Sequence, residues 1–305
     1  RNVELEEIIE TEMIEEKLVD ELDSGGYDHN DRWKYVDGKL WFDADGIDIW
    51  FEMPADWKFE ATHQDLFRLS EYVLLGKEHK YILDGWKPTR KSGRRPGLAF
   101  SGGVDSTAAM CLMPERTVLF YGERDGFETI LRHDNAIRFF EHLEKTSGRV
   151  VVRIKSNHEL IRTKHGKSPG FSTDYACAIG AILCADLFDL DSIGTGMPLE
   201  NSYLFHGQVF REFSTSWFWK HYSPLFEKVG LAIYQPVSGC SEIVNAMIVE
   251  KFGFEEYAQS CLRASAGDVC GACWKCFRKN TLNGYDFILS KEIETFLEKR
   301  PLKMA

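Results

Sequence analysis

The sequence contains no apolar run of the length a membrane-spanning helix requires. It also lacks the charged leader, apolar stretch and small-residue cleavage site of a secretory signal, since its first residues are acidic. A cytoplasmic protein is therefore the expectation. Positive charge is scarce: 37 Lys and Arg face 48 Asp and Glu, for a net charge of −11. Nucleic-acid binding draws on clustered cations, so nucleic acid is not an expected partner, and neither is a membrane. A Walker A phosphate loop is missing as well. The only Gly-Lys-Ser, Gly166-Lys167-Ser168, has Ile161 where that motif needs its first glycine. There is no internal repeat.

What is present is ordinary globular material: 305 residues, 44% hydrophobic and 28% charged. That suits one large or two modest domains. Residues 1–23 place Leu5, Ile8, Ile9, Met13, Ile14 and Leu18 near helical spacing among many Glu, and are expected to form an amphipathic surface helix. Asp37-Gly38 and Asp45-Gly46 separate short apolar runs and predict a three-stranded meander over 32–52. Its tryptophans, Trp33, Trp41 and Trp50, are expected to pack in the sheet. A helix over 61–76 should end at Gly76, and the basic stretch 84–96 is expected to be a solvated linker.

From Gly97 the pattern becomes alternating. Strands are predicted at 97–100, 117–122, 149–154, 191–195 and 231–235, with helices at 106–113, 128–146, 173–188 and 241–251. Such alternation predicts an α/β fold, a parallel sheet covered by helices on both faces. The expected organisation is a small N-terminal α+β domain over 1–96 and a larger domain over 97–305. Ligands of such sheets bind past the carboxyl ends of the strands. Two glycine-bearing segments stand at such ends, Ser101-Gly102-Gly103 and Gly194-Thr195-Gly196.

The first of these continues as Val104-Asp105-Ser106-Thr107 into an apolar helical segment. Two glycines let backbone approach an anion closely, and the helix start offers unpaired N–H groups at the positive end of its dipole. Asp105 and Ser106 fall where they can cap the helix or help to hold a magnesium ion. Near the C-terminus, Cys261, Cys270, Cys273 and Cys276 have the spacing C-x8-C-x2-C-x2-C. Four thiolates so spaced suit a closed tetrahedral zinc site, with an iron–sulfur cluster as the chemical competitor. The remaining cysteines (Cys111, Cys177, Cys184, Cys240) stand singly and are expected to behave as small core residues.

The string Ser101–Ser106 resembles the PP-loop of the N-type ATP pyrophosphatases, which split ATP between its α and β phosphates. Together with the cysteine pattern it resembles the 7-cyano-7-deazaguanine synthase (QueC-type) family. That likeness takes in Tyr121-Gly122-Glu123-Arg124, the Gly194–Gly196 segment, Pro236 through Glu242, and Cys270-Gly271-Ala272-Cys273-Trp274-Lys275-Cys276. It covers residues 97–283, and residues 1–96 have no counterpart in it. Gly170–Asp174 and Cys276-Phe277-Arg278-Lys279 look closer to the MurL-type epimerases, which adenylate the terminal L-glutamate of a UDP-muramoyl dipeptide. A QueC-like defence protein acting on a protein partner and a non-catalytic PP-loop scaffold are further alternatives.

The resemblance implies the adenine nucleotide α-hydrolase-like fold, ATP, magnesium and zinc as cofactors, and a small-molecule carboxylate converted to an acyl-adenylate. It implies Ser101, Asp105 and Ser106 as catalytic residues. The nucleotide would meet Ser101, Gly102, Gly103, Val104, Asp105, Ser106, Phe120, Tyr121, Arg124, Thr195 and Gly196. Lys155 and Arg162 are further candidates for phosphate contact. Asp174, Glu200 and Arg211 are candidates for substrate contact, and His165 and His206 for a base. A homodimer contact or a protein partner would use residues 1–96.

Overall fold

The computed structural model describes residues 28–125, 132–205, 209–259, 261–282 and 284–299. The helix expected over 1–23, His206 and the start of the helix expected at 128 lie outside the described residues. Three short strands open the described chain: β1 (Trp33–Val36), β2 (Lys39–Asp43) and β3 (Asp48–Glu52). Asp37 and Gly38 turn the first hairpin with φ of 50° and 77°. These are the two positive values that a two-residue turn matching the strand twist demands. Helix α1 (Gln64–Leu75) follows and ends at Gly76, whose φ is 80°.

Parallel strands then alternate with helices: β4 (Arg95–Ala99), α2 (Val104–Leu112), β5 (Val118–Arg124), α3 (Asp134–Ser147), β6 (Val151–Ser156), a short α4 (Ile179–Leu183) and β7 (Leu190–Thr195). The rest comprises α5 (Leu199–Ser202), the small hairpin β8 (Leu204–Phe205) and β9 (Val209–Phe210), α6 (Trp217–Lys228), β10 (Ala232–Tyr234), α7 (Glu242–Lys251), α8 (Trp274–Leu282) and α9 (Lys291–Lys299). Among the described residues, no helix is long and apolar enough to cross a membrane.

The main sheet has eight strands in the order β1-β2-β3-β6-β5-β4-β7-β10. From β6 to β10 all pairings are parallel, and the meander pairs antiparallel. The meander does not stand apart: Phe51 of β3 pairs with Ser156 of β6, so residues 33–52 lengthen the same sheet. The side-chain period of two sends alternate residues to opposite faces. Val118 and Phe120 enter a core with the meander, α1, α4 and α6. Leu119 and Tyr121 enter a second core with α2, α3 and α7. Trp33, Phe42, Phe51 and Phe67 are fully buried in the first. Each of them contributes about 1.5–3 kcal/mol by leaving water.

Two expectations fail locally. The apolar run 173–188 forms a single 3-10 turn at Ala176–Ala178 and then only α4. From Tyr175 to Ala185 most side chains are buried, so no polar stripe sets a helix length, and packing on β6 decides. A Cβ on Gly180 would stand 2.7 Å from Ile154. The basic stretch 84–96 is solvated at Lys87, Lys91, Arg94 and Arg95, but not at Arg90. Arg90 is only 7% exposed. Its guanidinium donates to Asp186 (2.8 Å) and to the carbonyls of Val229 (2.8 Å) and Leu190 (3.1 Å). Buried Asp65 of α1 accepts from the backbone of Thr89 and Arg90 and from the Trp86 indole. A buried guanidinium is tolerated because these acceptors satisfy its fork.

Candidate functional site

Strand order reverses beside β4: β5 and β6 lie on one side of it, and β7 and β10 on the other. The loops leaving β4 and β7 therefore part company, and a crevice opens at their carboxyl ends. Ser101–Ser106 fills the loop after β4. Gly102 takes φ of 69°, a backbone conformation that glycine adopts without strain. The Ser101 N–H donates to Ser106 Oγ (3.2 Å), and the two hydroxyls lie 3.0 Å apart. The Ser106 hydroxyl also reaches the Gly103 carbonyl at 3.1 Å. The loop is thus tied across its own mouth. The first-turn N–H groups of α2 have no acceptors within the helix. From the other side of the crevice comes Gly196, where a Cβ would stand 2.7 Å from the Ser106 backbone.

Above this junction lies a cavity of about 1090 Å³. Ser101, Gly103, Val104, Asp105, Ser106, Phe120, Tyr121, Arg124, Thr195 and Gly196 all line it, as does Asp174. Gly102 is covered by Ala136 and Phe140. The other candidates stand elsewhere. Lys155 pairs with Asp125 at 3.0 Å. Arg211 donates to the carbonyls of Ser202 and Asn201 and packs over Phe218. Arg162 lies against Gly170, and His165 is exposed.

Asp105, in the first turn of α2, accepts from the Asn245 amide of α7 at 2.8 Å. Desolvation holds its carboxyl above the usual carboxylate range, opposed by that hydrogen bond and by Arg278, with Glu200 adding to the rise. Asn245 is wholly buried, and its Oδ1 has no partner. Glu200 accepts from the Glu242 N–H (3.2 Å) with one oxygen, and its other oxygen is also buried without a partner. These are hard oxygen donors of the sort that bind magnesium. Sequence reasoning missed Asn245. Its signal was one amide among the apolar residues Ile243, Val244, Ala246, Met247, Ile248 and Val249.

Cations reach the same wall from α8. Arg278 is ion-paired with Glu242, and Lys279 donates to the Ala258 carbonyl at 2.6 Å. Burial lowers the Lys279 amine to about 8. Helix α8 is anchored by the cysteine cluster. The four sulfurs of Cys261, Cys270, Cys273 and Cys276 lie within 4.8 Å of one another. Cys270–Cys276 and Cys273–Cys276 are 3.8 and 3.5 Å apart. A tetrahedron with Zn–S bonds of about 2.3 Å has edges of about 3.8 Å, whereas a disulfide would require about 2.05 Å. The donor set therefore fits a single metal ion. Asn135 of α3 fastens the cysteine-bearing loop through the Gly267 N–H and the Asp268 carbonyl, both at 2.8 Å.

On the opposite wall Arg124 is paired with buried Glu159 at 2.8 Å and lies over the Phe171 ring. His158, only 7% exposed, stacks between Phe51 and Phe171. Sequence reasoning did not single out His158 either, and nothing in its neighbours along the chain marks it.

The geometry defines a class: an α/β protein with a mostly parallel mixed sheet, a cavity at the reversal of strand order, and a four-cysteine cluster able to bind a metal. A family model described as "Family of unknown function (DUF6395)" matches residues 221–300, the stretch that carries α7, the cysteines and α8. No curated protein matches the sequence. Among solved structures, the chain is similar to the U34-tRNA thiolase NcsA from Methanococcus maripaludis with its 4Fe-4S cluster. Identity is 12%, coverage is 79% of this chain and 74% of that chain, and the TM-score is 0.30. A superposition that loose bears on neither fold nor activity, which rest on the topology and the site.

Proposed function

We propose that the protein is an AMP- and pyrophosphate-forming enzyme that uses ATP to adenylate a small-molecule carboxylate. One observation carries the reading. A glycine-bounded helix start, with a half-buried acid in its first turn and orphaned oxygens beside it, sits at the reversal of strand order beneath a large cavity.

A carboxylate is a poor electrophile. In the proposed step its oxygen attacks the α-phosphorus of ATP and forms an acyl–O–P bond. The bond from that phosphorus to the bridging oxygen of the β phosphate breaks, and its electron pair leaves with pyrophosphate. The N–H groups of Gly102, Gly103 and the first turn of α2, with the Ser101 and Ser106 hydroxyls, would hold the phosphates. Such preorganised donors stabilise charge as it develops. Asp105, with Asn245 and Glu200 near it, would hold magnesium, which neutralises phosphate charge. Arg278 and Lys279 supply positive charge at the same wall. The cysteine cluster would hold zinc as a closed structural ion and keep α8 in place.

The test is to incubate the protein with ATP, magnesium and a panel of carboxylates, and to identify the nucleotide product. The panel includes 7-carboxy-7-deazaguanine and a UDP-muramoyl dipeptide ending in L-glutamate. Pyrophosphate together with acyl-AMP, or with the AMP that leaves when water attacks the acyl carbon and regenerates the acid, formed only with one acid and lost in Asp105→Ala, is the expected result. ADP with phosphate, or no turnover of ATP with any acid, overturns the reading.

A further inference from the structure

Phe51 of β3 stands at a second end of the site. We infer that the ring-lined end of the cavity takes the uncharged heteroaromatic base of the nucleotide, with His158 Nε2–H donating to one of its ring nitrogens. The antiparallel meander contributes Phe51 to that end. This inference rests on the ATP reading above.

His158 follows β6. Its backbone N–H donates to Ser156 Oγ at 3.1 Å, and the same oxygen lies 3.1 Å from Nδ1. In one of the two tautomers the Ser156 hydroxyl proton turns to Nδ1. The neutral imidazole then carries its own proton on Nε2. That atom is buried and has no partner, and His158 is among the residues that line the cavity. Burial and nearby Arg124 hold the ring neutral, with a pKa lowered to about 4. A buried donor left unpaired costs free energy, and a ligand acceptor removes that cost.

The surroundings select the kind of ligand. Phe51 lies 5.7 Å from the imidazole with planes at 19°, and Phe171 lies 6.0 Å away at 16°. Ile154 and Gly180 continue the apolar lining. The charge of Arg124 is met by Glu159. A flat group with acceptors and no net charge suits this wall, whereas an acid group or a phosphate suits the wall of Asp105, Arg278 and Lys279. The spacing also agrees. β6 is two strands from β4, about 10 Å at the usual interstrand distance, so one nucleotide can lay its phosphates at β4 and its base at β6.

The meander sets this wall. Phe51 belongs to β3, and Asn157, beside His158, is bonded twice to the same strand. The Trp50 N–H donates to Asn157 Oδ1 at 2.8 Å, and Asn157 Nδ2 donates to the Asp48 carbonyl at 3.0 Å. Asn157 is a positioning residue for the imidazole.

The test measures equilibrium binding of magnesium-ATP and of magnesium-tripolyphosphate to the full chain and to His158→Phe, which keeps a ring and deletes the donor. Wild-type protein is also titrated with ATP analogues lacking N1, N3 or N7. The expected result is about tenfold weaker ATP binding in the variant with tripolyphosphate unchanged, the effect of one hydrogen bond. One analogue should lose a similar factor on wild type and nothing further on the variant. The analogue series reads the site on unaltered protein, so a variant that fails to fold does not rescue the idea. If wild type binds ATP but shows any other pattern, the base site is overturned and the adenylation reading survives. If wild type binds no ATP, both fall.

Discussion

On one wall of the cavity, α2, α7 and α8 bring together Asp105, Glu242, Arg278 and Lys279, each bonded to another polar group, with wholly buried Asn245 as the partner of Asp105. On the other wall, β3, β6 and the segment after β6 present Phe51, His158 and Phe171 as a stack of rings. The charged wall hangs on a local device, because four cysteines hold α8. The ring wall hangs on the longest-range pairing in the sheet, that of β3 with β6. A charged constellation needs a rigid support close by. A stack of rings is held by the core that surrounds it.

The largest expected effect separates the two walls by removing one support. Chelation, or Cys273→Ser, should release the metal and local folding free energy on the order of 10 kcal/mol. Hydrogen exchange should then rise in 261–282 and AMP formation should stop, while protection in 33–52 and the near-ultraviolet signal of buried Trp33 persist. Equal loss in both regions would show that the walls are one cooperative unit.

Next is Asp105→Ala, expected to lower kcat by about 1000-fold or more, roughly 4 kcal/mol of transition-state stabilisation, with the fold retained. The pH sign follows from the raised carboxyl of Asp105. The ionised form is the one that holds a cation, so activity should fall as pH drops through that raised value, and the fall should begin at a higher pH than for an ordinary aspartate. Stability should run the other way. Above the raised value the native state bears the burial of a charge that the unfolded chain solvates freely, so Asp105→Asn should melt higher than wild type at neutral pH. A lower melting temperature would contradict the burial argument.

Gly196→Ala should come third, with about a 100-fold loss of turnover. Its new methyl must push back the Ser106 backbone, and displacements of that order misalign reacting groups. The smallest effect belongs to the ring wall. Asn157→Ala removes both bonds to β3 and should cost about 1–3 kcal/mol of stability. ATP affinity should fall with it while tripolyphosphate affinity holds. A parallel loss of both ligands would merge the walls again.

These differences also explain what could be read from the chain alone. Ser101–Ser106 and the cysteine spacing are local in sequence, because a turn and a tetrahedral donor set are built from near neighbours. The meander was legible for the same reason: Asp-Gly turns carry their own backbone demand. Its attachment to β6 was not, since one antiparallel contact between residues 51 and 156 leaves no periodic trace. Asn245 and His158 acquire meaning only from residues far off in sequence, Asp105 for the one and Phe51 for the other. Arg90 sat in a run of Lys, Arg, Gly and Pro that resembles a tether, and only the carbonyls around it reveal its burial.

The guanidinium of Arg90 has a practical corollary for anyone cutting the gene. It stitches the run-up to β4 onto the neighbouring strand β7 and the end of α6. A shortened version starting at Gly97 would leave Asp186 and two inward-facing carbonyls without their donor, and would bare the flank of β6. Expressed by itself, that fragment should aggregate.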